Sequence, residues 1–234
     1  MHGTRITPAL AELIPTPEHT ATWKPMSHGK VISAISAGVR EPITSSSIFV
    51  NKSGLKCWGL LKFGSLSDGL GMKTIGFRHS NDKSTSLRIY TGVELSICAN
   101  GAIMGDKSEV FRHKHTAGLG VENIFTAICR TTEDIDATYL RWKDKMVNQY
   151  VDPATFNKRL VDTFALSCRL PVSMMHDVAE AATYPDRRPA WGVDQNLWNE
   201  YNCYTWAVNK QPEDQRVNLL TRVSKMFNSV AVDA

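Results

Sequence analysis

The sequence has little that could act as a covalent or metallic staple. Its five cysteines stand at 57, 98, 129, 168 and 203, an odd number without a C-x-x-C pair. That excludes a disulfide framework and a zinc knuckle, and reads as reduced, mostly buried thiols. No apolar run approaches the roughly 18 residues that cross a bilayer. The N-terminal Met1-His2-Gly3-Thr4-Arg5, followed by Pro8, Glu12 and Pro15, lacks the unbroken apolar core of a secretory signal. No G-x-G-x-x-G, G-x-x-x-x-G-K-[ST], H-E-x-x-H or G-x-S-x-G motif occurs, and Gly69-Leu70-Gly71 is too short for a nucleotide fingerprint. The sequence therefore proposes no catalytic centre, no metal and no cofactor. Repeats and low-complexity tracts are also missing.

What is there suits a single α+β domain. A chain of 234 residues with 42% hydrophobic content can fill one core with a small appendage. The net charge of +4 hides an asymmetry: residues 45–115 carry 10 basic and 5 acidic groups, whereas residues 116–234 carry 13 and 15. The middle of the chain is thus the part suited to an anionic partner.

Residues 1–26 hold four of the ten prolines and read as an extended arm, expected to pack on a neighbouring subunit. Ser27 suits an N-cap for a short helix ending near Gly38, with Val31, Ile32 and Ile35 on its apolar stripe. From Ser46 the period becomes two. Ser46 to Asn51 and Leu55 to Phe63 read as strands joined by the turn Asn51-Lys52-Ser53-Gly54, followed by strands at Lys73 to His79, Leu87 to Cys98 and Glu109 to His115. After Gly120 the spacing turns helical, with Ile124, Ile128, Ile135, Tyr139, Trp142, Met146 and Tyr150 on buried faces. Asp152-Pro153, Pro171, Asp194 and Pro212 open further helices, the third carrying Leu197, Tyr201, Tyr204 and Val208 on one face. Trp142, Trp191, Trp198 and Trp206 at helical spacing read as packing. Strands early and helices late predict an antiparallel sheet in residues 27–118 packed against helices in residues 119–234.

Alternation along the strands separates two faces. Leu55, Cys57, Leu61 and Phe63 point one way, and Lys56, Trp58 and Lys62 the other. Arg78 projects opposite to Ile75 and Phe77, and Arg88 and Tyr90 opposite to Leu87 and Ile89. Cations track a phosphate backbone and flat rings stack on unpaired bases at about 1 to 3 kcal/mol each, so this face suits single-stranded nucleic acid. An ordinary solvated or half-covered sheet face, with Trp58 simply buried, is the competing reading. The cluster Arg112-His113-Lys114-His115 is the densest positive stretch. Its alternating histidines, with His79, could share a metal, but no carboxylate or cysteine stands at a diagnostic spacing, so phosphate contact or a plain surface role is the expectation. Lys83 lies in Arg78-His79-Ser80-Asn81-Asp82-Lys83-Ser84, which suits either an anion-binding turn or a structural turn capped by Asn81 and Asp82. Arg187-Arg188-Pro189 reads as an exposed loop.

The runs Ile75 to Ser84, Gly92 to Gly101 and Arg112-His113-Lys114-His115-Thr116 resemble a phage- and plasmid-related domain of unknown function, with its R-x-S-x-D-K-S turn, C-x-N strand end and K-H-T element. Asn196 to Thr205 is similar to that family's L-W-x-x-Y-N-x-x-T helix. The resemblance covers residues 45–210 and implies a mobile-element setting in the cytoplasm of a bacterial host cell, with no activity to carry over. A sheet followed by helices is also similar in outline to phage single-strand annealing recombinases. The expected function is non-enzymatic binding of single-stranded DNA, with self-association. Inhibition of a host defence protein is the first alternative and an unrecognised nuclease the second.

Overall fold

The turn Asn51-Lys52-Ser53-Gly54 closes a hairpin through local hydrogen bonds centred on Asn51. In the computed structural model Asn51 Oδ1 accepts from the Lys56 amide at 2.9 Å and the Asn51 carbonyl accepts from the Gly54 amide at 2.9 Å. Gly54 takes φ +72°, a left-handed conformation that costs glycine nothing. The structure describes residues 3–69, 71–95, 100–103, 109–116, 118–167, 170–183 and 195–232. The expected strand end Ser96 to Cys98, the Arg187-Arg188-Pro189 loop, Trp191 and Asp194 lie outside the described residues, and the helix expected to open at Asp194 begins at Leu197. The chain divides into two compact units, residues 1–92 with 107–136, and residues 93–106 with 137–234.

The first unit carries strands β1 (Thr4–Ile6), β2 (Ile43–Val50), β3 (Lys56–Ser65), β4 (Gly71–Ser80) and β5 (Leu87–Leu95), neighbours in that order. Strand β7 (Glu109–His113) also pairs with β5, antiparallel, and β6 (Asn100–Ile103) follows β5 in the sheet order. The β3–β4 register runs from Lys56 opposite Ser80 to Ser65 opposite Met72, so Cys57 faces His79 and Trp58 faces Arg78. The apolar alternation holds: Ile48, Cys57, Leu61, Phe63, Ile75, Phe77, Leu87 and Ile89 are all buried.

Helix α2 (His28–Gly38) begins at Ser27, whose hydroxyl accepts from the Lys30 amide at 3.2 Å as an N-cap should. Helix α3 (Val121–Thr132) packs on α2 so closely that a Cβ on Gly38 would come within 2.7 Å of Ile128. Residues 1–26, expected as an extended arm, instead contain β1, paired with β2, and helix α1 (Pro8–Leu13), packed on α2. Ala11 of α1 is fully buried, and a Cβ on Gly29 would meet Glu12 at 2.4 Å. A three-residue strand and a six-residue helix are too short for periodicity to show.

The second unit holds the remaining helices, α4 (Ile135–Val147), α5 (Pro153–Val161), α6 (Met175–Thr183), α7 (Leu197–Asn209) and α8 (Glu213–Val232), of which α7 and α8 pack on β6. Asp152 caps α5 through the Ala154 and Thr155 amides, with Pro153 in the first turn. Helix α7 is capped by Asn196, whose side chain accepts from the Asn199 amide at 2.9 Å. Its Leu197, Trp198, Tyr201 and Tyr204 are buried, so the L-W-x-x-Y-N-x-x-T segment is core. Rings of Tyr139, Trp142, Trp198, Tyr201, Tyr204, Phe164 and Phe227 meet edge to face or stacked at centroid distances of 4.7 to 6.1 Å. Glu200 is buried against Arg159 at 2.6 Å, and burial pushes its carboxyl up to about 7. Tyr150, expected on the buried stripe, is 71% exposed, because α4 ends at Val147 and the helical period ends with it. Among the described residues no helix is long and apolar enough to cross a membrane.

Because β1 and α1 are integral to the first unit, deleting residues 1–13 should lower the melting temperature. A loss of about 2 kcal/mol of packing corresponds to roughly 5 °C in a chain of this length. Differential scanning calorimetry of the truncated chain checks this, and an unchanged melt would mean the segment is dispensable.

Candidate nucleic-acid interface

Strand pairing builds one continuous row on the outward face of the first unit. Arg5 of β1 stands opposite Phe49, Phe49 opposite Trp58, and Trp58 opposite Arg78. Further along the face lie Tyr90 and Arg88 of β5, with Arg88 opposite Arg112 of β7. Arg78 and Arg88 are close enough to the Tyr90 hydroxyl to act on its ionisation. Of the expected cations, Arg78 and Arg88 both act on Tyr90 and Arg112 stands opposite Arg88; Arg5 is a further cation of the row, which sequence reasoning missed because β1 spans three residues.

The aromatic half of the expectation is corrected. Trp58 is only 8% exposed, its ring stacks on Phe49 at 6.3 Å, and the chain start lies against it so closely that a Cβ on Gly3 would come within 2.5 Å of Cζ2. Tyr90 is 3% exposed, and burial pushes its hydroxyl up, opposed by a hydrogen bond from Arg88. Neither ring offers a free face for a base to stack on.

The cations differ in what they already hold. Lys56 is half-buried and paired with Asp82 at 3.2 Å, and Arg88 is paired with Glu109 at 3.4 Å. Arg78 and Lys62 are half-buried. Arg112, Lys114 and Lys83 are exposed. Lys83 takes φ +64° and places its ammonium 4.9 Å from the centre of the Trp23 ring.

The turn that carries Lys83 is built from its own polar groups. Asn81 donates to the Met26 carbonyl at 2.9 Å, Asp82 accepts from the Ser84 amide at 3.0 Å, and the Ser80 hydroxyl accepts from the Thr85 amide at 3.1 Å. Burial opposes ionisation of Asp82, but hydrogen bonds from Ser84, Ser80 and Lys56 hold its carboxyl well below the usual carboxylate range. Of the two readings of this motif, the geometry is that of a structural turn.

The basic cluster is split as well. Arg112 points outward in β7 and Lys114 is exposed just past its end, whereas His113 lies opposite the buried Leu87 and stacks on Phe111 at 6.2 Å. His115 is buried, its ring 4.8 Å from that of His79. His79 in turn meets His28, Nδ1 to Nδ1, at 2.7 Å. His113 and His115 are therefore withdrawn from the outward face. Among the described residues no group of three or more histidines, cysteines or acids is arranged to hold a metal ion.

Comparison with known protein families, curated proteins and solved structures finds no match for this chain. The functional reading therefore rests on the outward row of cations and on the burial of what surrounds it.

Trp58→Ala should cost about 3 to 5 kcal/mol of stability, as large deletions from a packed site do. Denaturant unfolding checks this, and a loss under about 1 kcal/mol would mean that the ring is free rather than covered.

Proposed function

We propose that this chain holds single-stranded nucleic acid, DNA in the mobile-element setting that its motifs imply, along the outward sheet face of the first unit, and performs no chemistry on it. The observation that carries the reading is Arg88 directly opposite Arg112 in the β5–β7 register, with Arg78 close by. Like charges facing across paired strands destabilise a sheet. Glu109 offsets Arg88 alone. A phosphate backbone lying over the pair converts that repulsion into two favourable contacts.

With Trp58 and Tyr90 covered, the cations supply the affinity and base stacking on those rings does not. Such binding follows the charge of the strand and reads no sequence. Arg112, Lys114 and Lys83, the exposed members, make the first contacts, while Arg78, Lys62 and Arg5 extend the track across the sheet. A protein partner, including a second copy of this chain, is the second reading. Leu10 and Leu13 of α1 favour it, 50% and 77% exposed on the helix that closes the first unit.

Affinity for single-stranded oligonucleotides should fall with salt at a slope near −0.7 per phosphate contact. Replacing Lys83, Arg112 and Lys114 together by alanine should make the slope shallower by about 2, with the melting temperature unchanged to within a few degrees. Fluorescence anisotropy across a salt series measures it. No binding at low salt, or a slope untouched by the triple substitution, would contradict the reading and favour the protein partner.

A further inference from the structure

His28 opens α2, His79 ends on β4 and His115 follows β7, yet their rings share one buried site in the first unit. The protons on them can be placed from the bonds. The Gly54 carbonyl can only accept, so His28 Nε2, 2.8 Å from it, carries a hydrogen. In a neutral ring His28 Nδ1 is then a lone pair, and it is His79 Nδ1–H that donates across the 2.7 Å contact. This leaves a lone pair on His79 Nε2, buried and without a protein partner, as are both nitrogens of His115.

Every added proton is therefore opposed. On His28 Nδ1 it sets two donors against each other and breaks the contact. On His79 Nε2 it makes a buried cation with no acceptor, and on His115 it places a cation beside His79. At the first residue of α2, the helix dipole adds to the cost on His28. Burial lowers the pKa of all three rings, followed for His79 by the charges of His28 and His115 and for His115 by those of His113 and His28; only the Gly54 bond acts the other way, on His28. No carboxylate is among the charges acting on them. Cys57, across from His79 on β3, is a buried thiol pushed up to about 12 and brings no charge. Nearby, Lys56 at the start of β3 and Asp82 on the flanking turn neutralise one another at 3.2 Å.

The cluster also holds chain segments in place. The Lys24 amide donates to the His115 carbonyl at 2.9 Å, and Asn81, two residues after His79, donates to the Met26 carbonyl at 2.9 Å. We propose that His28, His79 and His115 form a proton-operated latch that fastens residues 24–28, the turn 80–85 and the end of β7 to one another while all three rings are neutral, and releases them when the rings take up protons. The closed form excludes protons and the open form accepts them at the ordinary histidine value near 6.5. The latch is thus fully closed above about pH 6.5 and loosens as pH falls, each freed histidine raising the open fraction about tenfold per pH unit. Lys83 and Lys114 sit on the released segments, so under the nucleic-acid reading the latch sets how two phosphate contacts are presented. The latch itself does not depend on that reading.

Hydrogen exchange of the full chain without nucleic acid, between pH 7.5 and 5.0 and corrected for the intrinsic pH dependence of exchange, tests the latch. Protection of amides in residues 24–30, 79–85 and 113–116 should fall about a hundredfold or more per pH unit below about 6, while the centres of β3 and α7 stay protected. His115→Phe keeps a ring in place and removes one titrating group, so the fall should become about tenfold shallower per unit. Unchanged protection in the wild-type chain would overturn the latch, as would parallel loss at every amide or a pH dependence that His115→Phe leaves intact.

Discussion

The period of two along a paired strand decides the chemistry on both sides of this sheet. In β7 it sends Arg112 to the outward face and His113 inward, and just past the strand Lys114 is exposed and His115 buried, so four consecutive cationic or cationisable residues become two different devices. The same constraint in β3 and β4 pairs Trp58 with Arg78 on one face and Cys57 with His79 on the other. The outward set is available to an anionic partner, and the inward set to protons.

The two sides face opposite electrostatic demands. Outside, guanidinium groups can stand opposite one another because solvent and counterions are at hand, and an anion that displaces those counterions gains by doing so. Inside, three imidazoles share a pocket as neutral rings, because no carboxylate acts on them and only the Gly54 carbonyl, on His28, opposes the desolvation of a charged one. The segment 24–28 and the turn 80–85 connect the two sides, since they are fastened from within and carry Lys83 without.

The helix starts at Ser27 and Asp152-Pro153, the hairpin turn at 51–54 and the apolar face of β3 to β5 were all legible in the sequence, because each is written in residues close together in the chain. The α+β class followed from them. The direction of Trp58 was legible for the same reason, but not its burial: the segment that covers it begins at Gly3, more than fifty positions away, in a strand too short to announce itself. Tyr150 was misjudged because helical spacing was carried past the end of α4. Of the histidine cluster, His79 and His115 were already associated in the sequence reading, but His28 was illegible. His28 and His79 are 51 positions apart, and only the sheet and α2 bring them to 2.7 Å.

Residue-resolved chemical labelling of the native chain at pH 7.5 tests the division of the cluster at 112–115 most directly, with diethyl pyrocarbonate for histidine and acetylation for lysine, using exposed His19 as internal reference. The account predicts that Lys83 and Lys114 are modified readily while His28, His79 and His115 react at least tenfold more slowly than His19. A His115 that reacts as fast as His19, or a Lys114 that resists acetylation, would contradict the assignment of the two faces on which the account depends.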